Sequence, residues 1–148
     1  MPQLPVQFHY HIASFPFSDR TRLKRFILQL FDDYSLSVDH VNYIFCDDDY
    51  LLHINRTHLN HDTYTDIITF PYSSAEQPIL SDIYISIDRV RENASIFSVT
   101  FHHELLRVIF HGALHLCGLR DKSKAEVEAM RKAEAAYINR FLVSRETF

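Results

Sequence analysis

Apolar residues along the chain switch repeatedly between two periods. Phe8, Tyr10 and Ile12 alternate with polar or small neighbours, as in a half-buried strand whose side chains point to opposite faces in turn. From Asp19 to about Asp32 the period lengthens: Leu23, Phe26, Ile27, Leu30 and Phe31 recur at helical spacing, while Arg22, Lys24 and Arg25 fall on other faces. This predicts an amphipathic helix with a basic outer side, capped by Ser18. Val41, Tyr43 and Phe45 alternate again and run into Asp47-Asp48-Asp49, which predicts a strand, a turn and a short helix from Asp49 to about Thr57. Ile67 to Phe70 is a third strand. Past a loop from Pro71 to Pro78, Ile83, Ile85 and Ile87 alternate with Asp82, Tyr84 and Ser86 as a fourth.

The rest of the chain reads as helix. Asp88 is the expected cap of a helix through about Phe97, and Thr100 caps the next, which carries Leu105, Leu106, Ile109, Leu114 and Leu116 and stops near Gly118. Ser123 followed by Glu126 matches the capping box, in which each side chain satisfies a backbone donor at the helix entrance. The last helix is therefore expected from Lys124 to about Phe141, with Val127, Met130, Ala133, Tyr137 and Phe141 along one face. Strands and helices are mixed without strict alternation. The predicted fold is α+β: one domain over residues 1–148, a small mixed sheet of about four strands packed by about five helices.

Composition narrows the function classes. Hydrophobic residues make up 47% and charged residues 23%, close to globular averages. A net charge of −4 argues against a surface that clings everywhere to phosphate, though a local basic groove is compatible with it. Two cysteines, Cys46 and Cys117, form no disulfide framework, and the reducing cytoplasm is the expected compartment. No basic-then-apolar leader and no run of ~18 apolar residues is found, so no membrane association is expected. Only two glycines occur, Gly112 and Gly118, and both fall in one short segment.

That segment runs His111-Gly-Ala-Leu-His115-Leu-Cys-Gly118-Leu-Arg-Asp121. Histidines four residues apart lie on one helical face, which brings two imidazoles together as a tetrahedral ion requires of two ligands. Gly118 can take the left-handed conformation that ends a helix, so that the chain turns back and offers Asp121 as a third ligand. The layout is similar to the zinc-protease signature, making this a zincin-like metal-site helix. Gly112, however, stands where those proteases carry their general-base Glu, which disfavours protease chemistry. The plainer alternative is an ordinary pair of helix histidines with Asp121 as a turn residue.

With Leu51 to Phe70 and Ser81 to Asp88, the segment resembles the YbeY family of bacterial rRNA-maturation endoribonucleases. The family signature His-Gly-x-Leu-His-Leu-x-Gly is matched in full from His111 to Gly118, and a second signature is matched in register by Asn55, Asp62, Thr65, Asp66 and Phe70. The resemblance covers roughly Val41 to Met130. It implies one zinc ion per chain on His111, His115 and Asp121, and hydrolysis of phosphodiesters in single-stranded RNA by a zinc-activated water. It further implies a place in rRNA maturation and ribosome quality control, with rRNA and the ribosome as partners. Two positions depart from the family. Asp121 stands where its third ligand is usually His, with Arg120 where it has Asp; a carboxylate is an acceptable zinc ligand. Leu59 occupies the place of an arginine linked to activity, and Arg56, three residues earlier, is the candidate to stabilise charge on the phosphate.

Other residues complete the expectation. Glu104 lies two helical turns before His111 and can share its face, bonding an imidazole or a bound water. Thr65 and Asp66 open a strand and are candidates for substrate binding. His102 and His103 read as exposed polar residues, Cys117 as core. Two further functions stay open: a ribosome-associated binding protein with a structural metal, and a metal-dependent hydrolase of peptides or small molecules.

Overall fold

The computed structural model describes residues 3–12, 15, 17–59 and 64–143. Four strands and five helices follow in the order β1 (Val6–Tyr10), α1 (Arg20–Asp33), β2 (Val38–Cys46), α2 (Asp48–Leu59), β3 (Ile67–Pro71), β4 (Ile79–Ser86), α3 (Ile87–Ile96), α4 (Phe101–Leu116) and α5 (Lys124–Val143). The sheet order is β1-β2-β4-β3. β1 and β4 both run parallel to β2, while β3 pairs antiparallel with β4. The α+β expectation of a mixed four-stranded sheet packed by helices is met.

Alternation along the strands sorts the two faces. Val41, Tyr43, Phe45, Ile83 and Ile85 project into the main core with Leu23, Phe26 and Leu30 of α1, Ile109, Phe110 and Leu114 of α4, and Tyr137 and Phe141 of α5. On the opposite face Cys46 and Ile68 pack with Leu51 and Ile54 of α2 in a smaller cluster. Tyr43 is fully buried, and its hydroxyl donates to the Ile109 carbonyl at 3.0 Å, fixing the height of α4 over the sheet. α4 passes close to the sheet at Gly112. A Cβ there would stand 3.0 Å from Ile67 Cδ1 and 3.2 Å from Ile83, so the missing side chain lets the helix settle on β3 and β4.

Several boundaries differ from the sequence expectation. Ile12 lies beyond β1, and Ile87 opens α3 rather than closing β4. The cap of α3 is Ser86, whose hydroxyl accepts from Arg89 N; Asp88 instead accepts from the amide of Asp48. α1 is preceded by Asp19 in a left-handed conformation (φ 59°) without a side-chain cap, so Ser18 does not fill that role. Arg22 is not on an outer basic face. It is buried, donates to the Phe141 carbonyl at 2.8 Å and lies over the Phe141 ring at 3.7 Å. By contrast, Thr100 caps α4 by accepting from His103 N, and the Ser123–Glu126 capping box closes with bonds of 2.9 and 3.1 Å. Among the described residues no helix is long and apolar enough to cross a membrane.

Candidate metal centre

α4 carries the histidine motif, and its close seating at Gly112 sets His111 beside the start of β3. The result is a cavity of about 280 Å³ whose walls include Thr65, Asp66, Arg107, His111, Asp121 and Arg131. Two motifs distant in sequence thus meet: Thr65 and Asp66 from the segment before β3, His111 and Asp121 from α4 and the turn after it. Asp62 of the same signature lies outside the described residues.

Gly118, at φ 103°, makes that turn possible. Leu119 N reaches back to the Leu114 carbonyl at 3.1 Å, the chain reverses, and Asp121 returns to within 3.5 Å of His111 Nε2. Zinc ligands at about 2.0–2.2 Å from a tetrahedral ion stand about 3.3–3.5 Å from one another, so this imidazole and carboxylate suit one zinc ion in both spacing and donor type. His115, in the last turn of α4, is exposed. Among the described residues no group of three His, Cys, Asp or Glu side chains converges as a metal set, so His111 and Asp121 are the two of the expected ligands that the fold brings together.

The orientation of His111 is set from behind. Its Nδ1 meets Glu134 Oε2 of α5 at 2.7 Å, which leaves Nε2 toward Asp121. A carboxylate holding the far nitrogen of an imidazole fixes its tautomer and raises its basicity toward a metal. Glu134 is 1% exposed. Burial alone would raise its pKa, but the bond from His111 and the charges of Arg107 and Arg131 hold it below the usual carboxylate range. Arg107 is the hub of this cluster. Its Nε and one terminal nitrogen donate to both oxygens of Glu104 at 2.9 and 2.8 Å, the other reaches Glu134 at 3.3 Å, and Asp66 lies 3.5 Å away. Burial would lower its pKa, yet the bonds to Glu104 and the surrounding carboxylates drive it upward.

Glu104 is therefore placed differently from the expectation: it is buried and its partner is Arg107 rather than an imidazole. Arg56 sits on the exposed side of α2, and the guanidinium groups lining the cavity are those of Arg107 and Arg131. Leu59 ends α2 and is 42% exposed. Cys117 is half-buried, its thiol pushed up to about 12 by burial, as a core residue's would be. Sequence reasoning missed Arg107 and Glu134. Both lie in apolar phase on their helices: Glu134 shares its face with Met130, Tyr137 and Phe141, and a charge at such a position signals a buried ion pair. Around His111 four carboxylates (Asp66, Glu104, Asp121, Glu134) face two guanidinium groups, a balance that favours a cation.

Comparison with known proteins bears on what this cavity serves. A family model for endoribonuclease YbeY matches residues 13–142. Endoribonuclease YbeY of Flavobacterium psychrophilum is 46% identical over 140 residues, which span 95% of this chain and 99% of that protein. The Porphyromonas gingivalis protein of the same name is 43% identical over 129 residues, 87% of this chain and 85% of its own. Among solved structures, the solution structure of TM1509 from Thermotoga maritima superposes with a TM-score of 0.65 at 26% identity, covering 96% of this chain and 92% of that one.

Proposed function

The chain belongs to the YbeY family of endoribonucleases, and from that membership we propose that it hydrolyses phosphodiesters in single-stranded RNA during ribosomal RNA maturation. It acts in the cytoplasm as one metallohydrolase domain, in association with the ribosome. His111, His115 and Asp121, on a zincin-like helix and the turn after it, would hold one zinc ion. The observation that carries this is the shared cavity, in which Thr65 and Asp66 face His111 and Asp121 across a space of about 280 Å³.

The anionic surroundings of His111 give the physical reason for a metal. A phosphodiester brings further negative charge to a place already rich in carboxylates, and it enters only when a cation offsets them. Zinc bound there would supply both that charge and a water activated for attack on phosphorus. The chain's own residues do the rest. Glu134 keeps the proton of His111 on Nδ1 and its Nε2 lone pair toward the cavity. Arg107 holds Glu134 ionised, and the half-exposed guanidinium of Arg131 stands at the wall where it can meet a phosphate oxygen. Thr65 and Asp66 offer a hydroxyl and a carboxylate to the ribose, and Arg56 is the further cation to which the family's arginine role falls.

Metal analysis of the purified protein, coupled to cleavage of unstructured RNA with and without chelator, tests this. Stoichiometric zinc and chelator-sensitive cleavage are expected, and His115→Ala should lose both, because two remaining ligands hold the ion poorly. Wild-type protein that holds zinc but cuts no single-stranded RNA would overturn the enzyme and leave a ribosome-associated binding protein with a structural metal.

A further inference from the structure

A second cavity, of about 230 Å³, adjoins the first. Phe97, Val99, His103, Glu104, Arg107 and Arg131 line it, so the two cavities share the walls made by Arg107 and Arg131. Their linings differ in kind. The His111 cavity is walled by charged and hydroxyl groups, whereas here Phe97 and Val99 present carbon. Phe97 follows α3 and is 55% exposed, so part of its ring is open to solvent beside the cavity that it lines. The backbone that carries it is fixed: Val99 N bonds the Ala94 carbonyl at 3.0 Å, and Ser98 is held at φ 56°.

An aromatic face and a half-exposed guanidinium at the rim are what a nucleotide needs for its base face and its phosphate. We infer that this cavity receives a nucleobase flanking the phosphodiester bound in the His111 cavity, with Phe97 as its stacking platform. The inference rests on the endoribonuclease proposal and deepens it. It also gives selectivity for single strands a physical origin. A base inside a duplex is already stacked and paired, and must leave both before it can lie on Phe97.

The test uses wild-type protein, Phe97→Ala and Phe97→Tyr on single-stranded RNA oligonucleotides, each carrying one abasic nucleotide at successive positions around the cleavage site. One position is expected at which the missing base lowers wild-type kcat/KM by about tenfold. Phe97→Ala should show about that loss on intact RNA and little further loss at the abasic position, since the stacking pair is already broken. Phe97→Tyr keeps the ring and should stay near wild type. Wild-type protein that cuts intact RNA but is indifferent to an abasic nucleotide everywhere would overturn the inference while leaving the proposed activity standing, and this arm needs no variant to fold. Phe97→Ala with wild-type rates and wild-type positional sensitivity would overturn it too. Wild-type protein that cuts no oligonucleotide would remove the activity and the inference together.

Discussion

Glu134 satisfies three donors at once: His111 at one oxygen, Arg107 and Arg131 at the other. A buried carboxylate so placed costs desolvation when it is ionised, and its worth lies in what it holds in place. Replacing it with alanine removes one of the three carboxylates around Arg107, whose side chain is only 15% exposed. Glu134→Ala is therefore expected to destabilise the protein by about 3–5 kcal/mol in urea unfolding. Under conditions where the variant is still folded, its zinc affinity in chelator competition should fall about 10- to 100-fold, because His111 loses the partner that fixes its ring. Unchanged zinc affinity would mean that Glu134 serves packing alone. The residue was legible in principle, since helical phase puts it among Met130, Tyr137 and Phe141. That its partners would be His111 and Arg107 was not, because they lie 23 and 27 residues away on another helix.

Helices in this chain end in a shared way that its scarcity of glycine makes conspicuous. After α1, α3 and α4 the residues Ser35, Ser98 and Gly118 all take positive φ, at 58°, 56° and 103°, and the amides that follow reach back into the last turn. Only the third of these has the residue type that suits the conformation. Gly118 announced the end of α4 in the sequence, whereas the two serines gave no such signal. Ser98→Gly is expected to stabilise the protein by about 1 kcal/mol, the relief of a strained left-handed residue outweighing the added freedom of the unfolded chain. A shift of the urea midpoint at constant slope would report it. A loss of stability would show that the serine hydroxyl compensates the strain. Caps followed the same logic: Thr100 and the Ser123–Glu126 box were legible because side chain and backbone donor are three residues apart, while Ser18 and Asp88 were not caps because the backbone turned at a neighbouring residue.

Across the whole molecule, distant parts of the chain are tied by a few polar contacts. Asp33 at the end of α1 accepts from Tyr137 at 2.7 Å and from Arg140 at 2.9 Å, both on α5. Partial burial would raise its pKa, but these bonds win and hold it below the ordinary 3.8. A carboxylate whose folded pKa is depressed binds fewer protons in the folded state than in the unfolded one as pH falls through that range. Its contribution is thus fully present above the unfolded pKa and lost as pH falls through the folded one. Wild-type stability should decline from about pH 5 downward in part for this reason, and Asp33→Asn should flatten that decline. Thermal unfolding between about pH 5 and pH 3 measures it, and equal slopes for the two proteins would show that other carboxylates govern acid unfolding.

The sequence by itself determined the succession of strands and helices, the capping box of α5, the seating of the histidines on α4 and the turn at Gly118. Each depends on spacing within a few residues, where periodicity and backbone hydrogen bonding act directly. Only the tertiary structure decided the strand order β1-β2-β4-β3, the burial of Arg22, the cavity where Asp66 meets His111, and the ion cluster of Glu104, Arg107 and Glu134. Those features depend on groups far apart in sequence sharing one dehydrated space. A charge is stable there only when its counter-charges arrive from other elements, and no local pattern states which elements those will be.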